Sequence, residues 1–248
     1  MLRLIVRSKL GDTVGAMADA DYLLAHHPTA PDYLMHARLV PMTDNARREV
    51  DITAALKLDA KNAAAWLQRA NGALTTGQLD IAAAALDQAE RLKADTMAVT
   101  GLRLDLFAKR GDTAGALKLA SETVASHPGD PHAWNVVCWF KATRNLALDT
   151  ALADCNAALK LEAGAPNYLD SRGLVRLRSN DTKGAIADYS AALRHAPYQV
   201  SSLYGRGVAY ARLGDRNRAL ADLSRARSVV PEIDTVWADY GVTPPAGF

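Results

Sequence analysis

The chain has 248 residues, room for one or two ordinary domains or a single longer repeat array. Hydrophobic residues make up 49% and charged residues 23%, and no stretch approaches the roughly 20 apolar residues that span a bilayer, so direct membrane insertion is not expected. A net charge of +2 gives no broad footprint for nucleic acid, and dominant alanine and leucine with 6% aromatics is helix composition.

Internal self-similarity sets the frame. Residues 173–197 (GLVRLRSNDTKGAIADYSAALRHAP) and 207–231 (GVAYARLGDRNRALADLSRARSVVP) align at an offset of 34 residues. That offset matches Gly173 with Gly207, Asp181 with Asp215, Ala185 with Ala219, Ala192 with Ala226 and Pro197 with Pro231. The pattern resembles the tetratricopeptide repeat (TPR), a first helix with W-x2-L-G-x2-Y, a second with A-x3-F and a later A, then P. The resemblance implies an all-α, right-handed superhelical solenoid of about seven helix-turn-helix units plus a C-terminal capping helix.

In chain order the expected units are 1–30, 31–62, 63–96, 97–130, 131–165, 166–199 and 200–233, with a capping helix and tail over 234–248. The first begins inside its own first helix, with Leu2, Leu4, Ile5 and Val6 and no polar cap, so its surface is a candidate for self-association. The opening MLRLIVRSKLGD has no apolar core or cleavage site of an export signal. The default compartment is therefore cytoplasmic, and periplasmic if the chain belongs to a longer exported protein. The second unit is two residues short, and Pro41 is expected to end its first helix early. Trp66 and Trp134 take position 4 of the third and fifth units, and the fifth has one extra residue near Ala163-Gly164. Trp237 and Gly241 stand where an eighth unit would begin. The last three units resemble C-terminal TPR regions of larger bacterial proteins.

Small residues recur where the two helices of a unit would cross. Position 20 is Ala16, Ala82, Ala116, Ala151, Ala185 and Ala219, and position 27 is Ala55, Ala89, Ala158, Ala192 and Ala226. Tight turns are expected at Gly77-Gln78, Gly111-Asp112, Asn180-Asp181 and Gly214-Asp215. Proline closes second helices at Pro28, Pro128, Pro197 and Pro231, and opens first helices at Pro31, Pro131 and Pro166.

Little in the sequence points to chemistry. His27, His127 and His195 fall in last turns of second helices, where the dipole favours a cationic ring. His26 adjoins His27 without sharing its face, and His36 and His132 have no partner at ligand spacing. There is no H-E-x-x-H, C-x-x-C, Walker loop or G-x-S-x-G. Neither an enzyme nor a cofactor or metal is expected. Cys138 and Cys155 hold positions 8 and 24 of the fifth unit, about level in an antiparallel hairpin. They either form a disulfide, implying an oxidising compartment, or serve as two small buried hydrophobes. Arginine recurs at position 7 (Arg69, Arg103, Arg172, Arg206) and aspartate at position 23 (Asp154, Asp188, Asp222). Arg172 and Arg206 are expected to form structural ion pairs with these aspartates.

In TPR arrays the first helices line a concave groove through positions 2, 5, 6, 9, 12 and 13. Carried onto this sequence, that surface includes Gln68, Asn71, Asp105, Lys109, His132, Asn135, Trp139, Asn167, Asp170, Arg178, Tyr204 and Arg212. Rings beside amides and mixed charges suit a peptide, and Trp139 is the leading candidate because no packing duty is evident for it. The lysine–asparagine clamp of chaperone-binding TPRs is missing: Asn71 fits, but Leu67 replaces the lysine. The resemblance implies a scaffold binding a peptide or protein segment in the groove. The alternative is a structural or oligomerisation arm of a larger bacterial envelope protein.

Overall fold

The computed structural model describes residues 2–26, 28–41 and 43–248, so the reading of His27 lies outside the described residues. Among these residues there are 15 helices and no strand. They run as α1 (Leu2–Lys9), α2 (Thr13–Ala25), α3 (Ala30–Leu39), α4 (Asn45–Leu58), α5 (Ala63–Thr75), α6 (Leu79–Arg91), α7 (Thr96–Lys109) and α8 (Thr113–Ser126). There follow α9 (Pro131–Arg144), α10 (Leu148–Leu161), α11 (Pro166–Arg178), α12 (Thr182–His195), α13 (Val200–Arg212), α14 (Arg216–Val229) and α15 (Ile233–Asp239). They fall into two compact units, residues 1–120 and 121–248. None of the described helices is long and apolar enough to cross a membrane.

A two-residue device makes most of the hairpin turns. Gly11, Gly111 and Gly214 take left-handed backbone, with φ of 79°, 78° and 75°, which costs glycine nothing. The next residue caps the second helix. Asp12, Asp112 and Asp215 accept from the backbone N–H of Gly15, Gly115 and Arg218 at 2.8, 2.8 and 3.1 Å. Asn180 and Asp181 repeat the arrangement with asparagine in the left-handed position. In the second hairpin α3 stops at Leu39, because the residue before Pro41 is driven out of helical backbone.

Every alanine of the two small-residue columns is completely buried, from Ala16 to Ala219 at position 20 and from Ala55 to Ala226 at position 27. Without bulk at the crossing, the helix pairs close to short range and large side chains fill the space between hairpins. Tyr189 shows how tight this is. Its fully buried ring lies against Gly173 of its own hairpin and Gly205 of the next. A Cβ at Gly173 would stand 2.7 Å from that ring, and one at Gly205 closer still. In the second unit α15 covers the last hairpin, burying Ile233 and Trp237, with the Trp237 ring 4.9 Å from that of Tyr204.

A carboxylate is buried at position 23 of most hairpins, and each has a side-chain partner, His36 for Asp51 and a Lys or Arg for the others. Arg3 and Arg7 hold Asp19, Lys141 holds Asp154, and Arg206 clasps Asp222 in a two-pronged pair at 2.7 and 2.9 Å. Arg172 clasps Asp188 likewise at 2.8 and 2.7 Å, and Arg176 adds a contact at 2.9 Å. The expected pairs of Arg172 and Arg206 are thus present, with Asp188 and Asp222. The third and fourth hairpins have Ala85 and Leu119 at position 23. There the position-7 arginine turns to the hairpin before, Arg69 to Glu49 and Arg103 to Asp87 and Glu90.

Breaking these clasps has unequal consequences. Arg206→Ala leaves Asp222 buried and unpaired and should cost about 3 kcal/mol. Arg172→Ala should cost only about 1 kcal/mol, since Asp188 keeps Arg176. Urea denaturation of both variants checks the order, and equal losses would show the aspartates are held by something else.

Candidate functional site

In the second unit the first helices α9, α11 and α13 lie side by side, each touching the next. Pro131 and Pro166 start α9 and α11 at fixed φ, and the buried alanines of α10, α12 and α14 hold the opposite faces, which leaves one row of each first helix toward solvent. The expected groove positions fall into three groups there.

Some have been taken into the core. Asp170 is 5% exposed and accepts a 2.5 Å hydrogen bond from the Ser202 hydroxyl of the next hairpin. Burial pushes its carboxyl up to about 6, against the smaller opposing pull of the Ser202 and Ser201 hydroxyls. Tyr204 is fully buried beneath α15, donating to Asp234 at 2.8 Å, and burial raises its phenol well above the usual range. Both were expected on the groove surface, and neither is free to meet a ligand. Trp139 is corrected in another way. Its ring is half-buried and meets the Tyr240 ring edge-on at 5.8 Å, so it has a packing role.

A second group stays at the surface. His132 is exposed, its ring edge-on to Tyr168, and Asn167 is exposed and accepts from the Gln199 amide at 3.3 Å. Asn135 is half-buried, and its Oδ1 accepts no hydrogen bond. The third group is cationic. Arg178 donates to the Thr143 carbonyl at 3.2 Å, and Arg212 donates to the Leu177 carbonyl at 2.7 Å. Each thereby covers the C-terminus of the first helix before it, where free carbonyls carry partial negative charge. Burial and the neighbouring Arg212 charge hold the Arg178 guanidinium below its ordinary value.

In the first unit Gln68 is half-buried and donates to the Leu34 carbonyl at 3.4 Å; Asn71 and Asp105 are half-buried, and Lys109 is exposed. A cleft of about 470 Å³ opens there beside α4, α5 and α6, lined by Arg48, Glu49, Arg69, Gly72, Thr76 and Gln78 among others. The repeat frame contained its signal, since Arg48 occupies position 20, where every other unit has alanine. Cys138 and Cys155 are joined, with Cα atoms 5.4 Å apart, in the place that glycine and an aromatic ring fill one hairpin later. Among the described residues no group of three or more His, Cys, Asp or Glu is placed to hold a metal ion.

The tetratricopeptide repeat family matches residues 67–131 and 171–240, more than half of the sequence. The chain belongs to the TPR family. Its structure is similar to yeast Tom70, with a TM-score of 0.68 and 17% identity over 92% of this chain and 50% of that one. A human IFIT1 dimer with PPP-AAAA is similar at a TM-score of 0.59 and 16% identity, covering 84% and 52%. So is the Cut9–Hcn1 assembly, at 0.55 and 17%, covering 97% and 48%. The chain therefore spans about half the length of these structures. Identities this low establish the fold alone. No curated protein matches the sequence. TPR proteins are in general protein-binding scaffolds rather than enzymes.

Two measurements follow from the buried groups. The Asp170 carboxyl is raised from 3.8 to about 6, so folding favours its protonated form. Its contribution is full below about pH 4 and is lost as pH rises through 6. Asp170→Asn, which can still accept from Ser202, should match wild type at pH 4 and exceed it at pH 8 by up to about 3 kcal/mol. A gap independent of pH would mean that the Asp170 carboxyl titrates in the folded chain as it does in the unfolded one. For the disulfide, which closes a span of 17 residues, reduction or Cys155→Ala should lower stability by about 3 kcal/mol in calorimetry.

Proposed function

We propose that the chain is a protein-interaction module whose second unit binds an acidic peptide or protein segment on the face formed by α9, α11 and α13. One observation carries this reading. Arg178 and Arg212 end successive first helices, their hydrogen bonds go to backbone carbonyls rather than to a carboxylate, and burial, with a smaller push from the Arg212 charge, holds the Arg178 guanidinium below its ordinary value. A carboxylate arriving from a partner would relieve that repulsion and gain charge-assisted hydrogen bonds. The exposed amide of Asn167 suits the backbone of an extended segment, and the half-buried Trp139 supplies flat contact area. TPR membership favours binding over catalysis, and nothing in this reading requires a cofactor or nucleic acid. A joined Cys138–Cys155 pair fits an oxidising compartment.

A second reading, an oligomerisation or structural arm that self-associates through α1, draws on the first hairpin, where Leu2 is 78% exposed. It concerns a different surface.

The test is affinity capture from source-cell lysate with wild type beside an Arg178→Gln, Arg212→Gln double variant, which keeps an amide to donate to the carbonyls. The captured partner is then titrated against both. The variant should bind at least about tenfold more weakly, and added salt should weaken wild type far more than the variant. Equal affinity and equal salt dependence would move the binding surface elsewhere.

A further inference from the structure

Where one hairpin meets the next, the arginine at position 7 reaches back to the second helix of the hairpin before. In the first unit that helix supplies acid. Arg69 meets Glu49 at 2.7 Å, and Arg103 meets Asp87 at 2.8 Å and Glu90 at 2.6 Å. In the second unit, at the seam of α12 with α13 and α14, these acids are gone. Counted from Arg206 as they are from Arg103, the places of Asp87 and Glu90 hold Ser190 and Leu193. By the same count Arg225 stands in the place of Glu122.

The seam opens into a pocket of about 190 Å³, with Ser190, Arg194, Arg206 and Arg225 in its lining, beside Leu193 and Leu203. No carboxylate lines it. Arg206 is fixed in place: Asp222 accepts from two of its nitrogens at 2.7 and 2.9 Å, and the third reaches the Ser190 hydroxyl at 3.3 Å. Arg225 lies over the Tyr198 ring, 5.0 Å from its centre. Among the described residues neither Arg194 nor Arg225 meets a carboxylate. Asp222 offsets the charge of Arg206, so the excess of positive charge is that of Arg194 and Arg225.

Like charges drawn to one pocket favour an anion among them. Size and charge together narrow its class. The pocket is smaller than the roughly 300 Å³ at which small-molecule sites begin, so it admits one chemical group rather than a whole ligand. A phosphate monoester carries about −1.5 to −2 charges at neutral pH and three acceptor oxygens, which guanidinium forks match. A carboxylate brings less charge and fewer acceptors.

We propose that the seam of α12, α13 and α14 binds the phosphoryl group of a phosphate monoester, carried by a small molecule or by a phosphorylated side chain. Arg194 and Arg225 supply the neutralising charge, and Arg206 and the Ser190 hydroxyl supply fixed donors. The pocket shares no residue with the face that carries Arg178 and Arg212, so either site can fail without the other.

The full chain is titrated by calorimetry with N-acetyl-phosphoserine amide and with inorganic phosphate, beside an Arg194→Gln, Arg225→Gln double variant. Neither of these arginines holds an acid, so the variant should melt with wild type when no ligand is present. Wild type should bind at least one probe with a Kd below about 1 mM, and the variant should bind it about tenfold more weakly or worse. Tighter binding of the phosphoserine probe identifies a side-chain source, and tighter binding of inorganic phosphate a small-molecule source. Three results would overturn the proposal. They are no binding of either probe, equal affinity in the variant, or equal affinity for N-acetyl-glutamate amide.

Discussion

The close approach of two helices within each hairpin is the constraint on which the rest depends. It is set by alanine at positions 20 and 27, and those side chains are fully buried wherever they occur. An alanine contributes little burial of its own; its value is that it adds no bulk where the helices cross. Once the pair is close, the outer flanks hold the larger side chains, and the next hairpin must fit them. Tyr189 between two glycines is one such fit, and the Cys138–Cys155 pair occupies the corresponding space a hairpin earlier. The second hairpin has Arg48 in the alanine column, and it borders the cleft of about 470 Å³.

Close packing leaves a problem with charge. Asp19, Asp51, Asp154, Asp188 and Asp222 are all buried, and a buried carboxylate is costly unless it is paired and hydrogen-bonded. Each hairpin meets this locally. His36 meets Asp51 at 2.6 Å, and arginines or Lys141 meet the others. The clasp is a weak source of net stability compared with an apolar pair of the same size. Its stronger effect is on register, because a two-pronged arginine fits only one alignment of the two helices.

The architecture was legible because it is written in spacing, and spacing survives in a single sequence. The alanine columns, the Gly-Asp turns and the Pro41 break are local signals with local causes, as are the Arg172 and Arg206 clasps. The site was less so. Asp170 belongs to a position that faces outward in an isolated helix, and it is Ser202, 32 residues later, that closes over it. Tyr204 looks free until Asp234 and Trp237 arrive from α15. Trp139 gains its partner from Tyr240, whose spacing after Trp237 repeats the start of a unit. In each case the deciding contact comes from a later hairpin or from the cap, where a position-by-position reading of one helix has no information.

That same accounting gives meaning to Arg178 and Arg212. Lys141, Arg172, Arg176, Arg206, Arg218 and Arg227 of the second unit each meet a carboxylate, so ion pairing explains their presence. These two are not matched: they sit together on the first-helix face, and one is held below its ordinary value by burial and by the other. Helix-end carbonyls account for part of each guanidinium's hydrogen bonding, but a neutral donor such as glutamine could do that without repulsion. What glutamine could not do is attract a carboxylate from outside. A local arrangement that raises the energy of the free protein and would be relieved by a particular ligand is what a binding surface should look like.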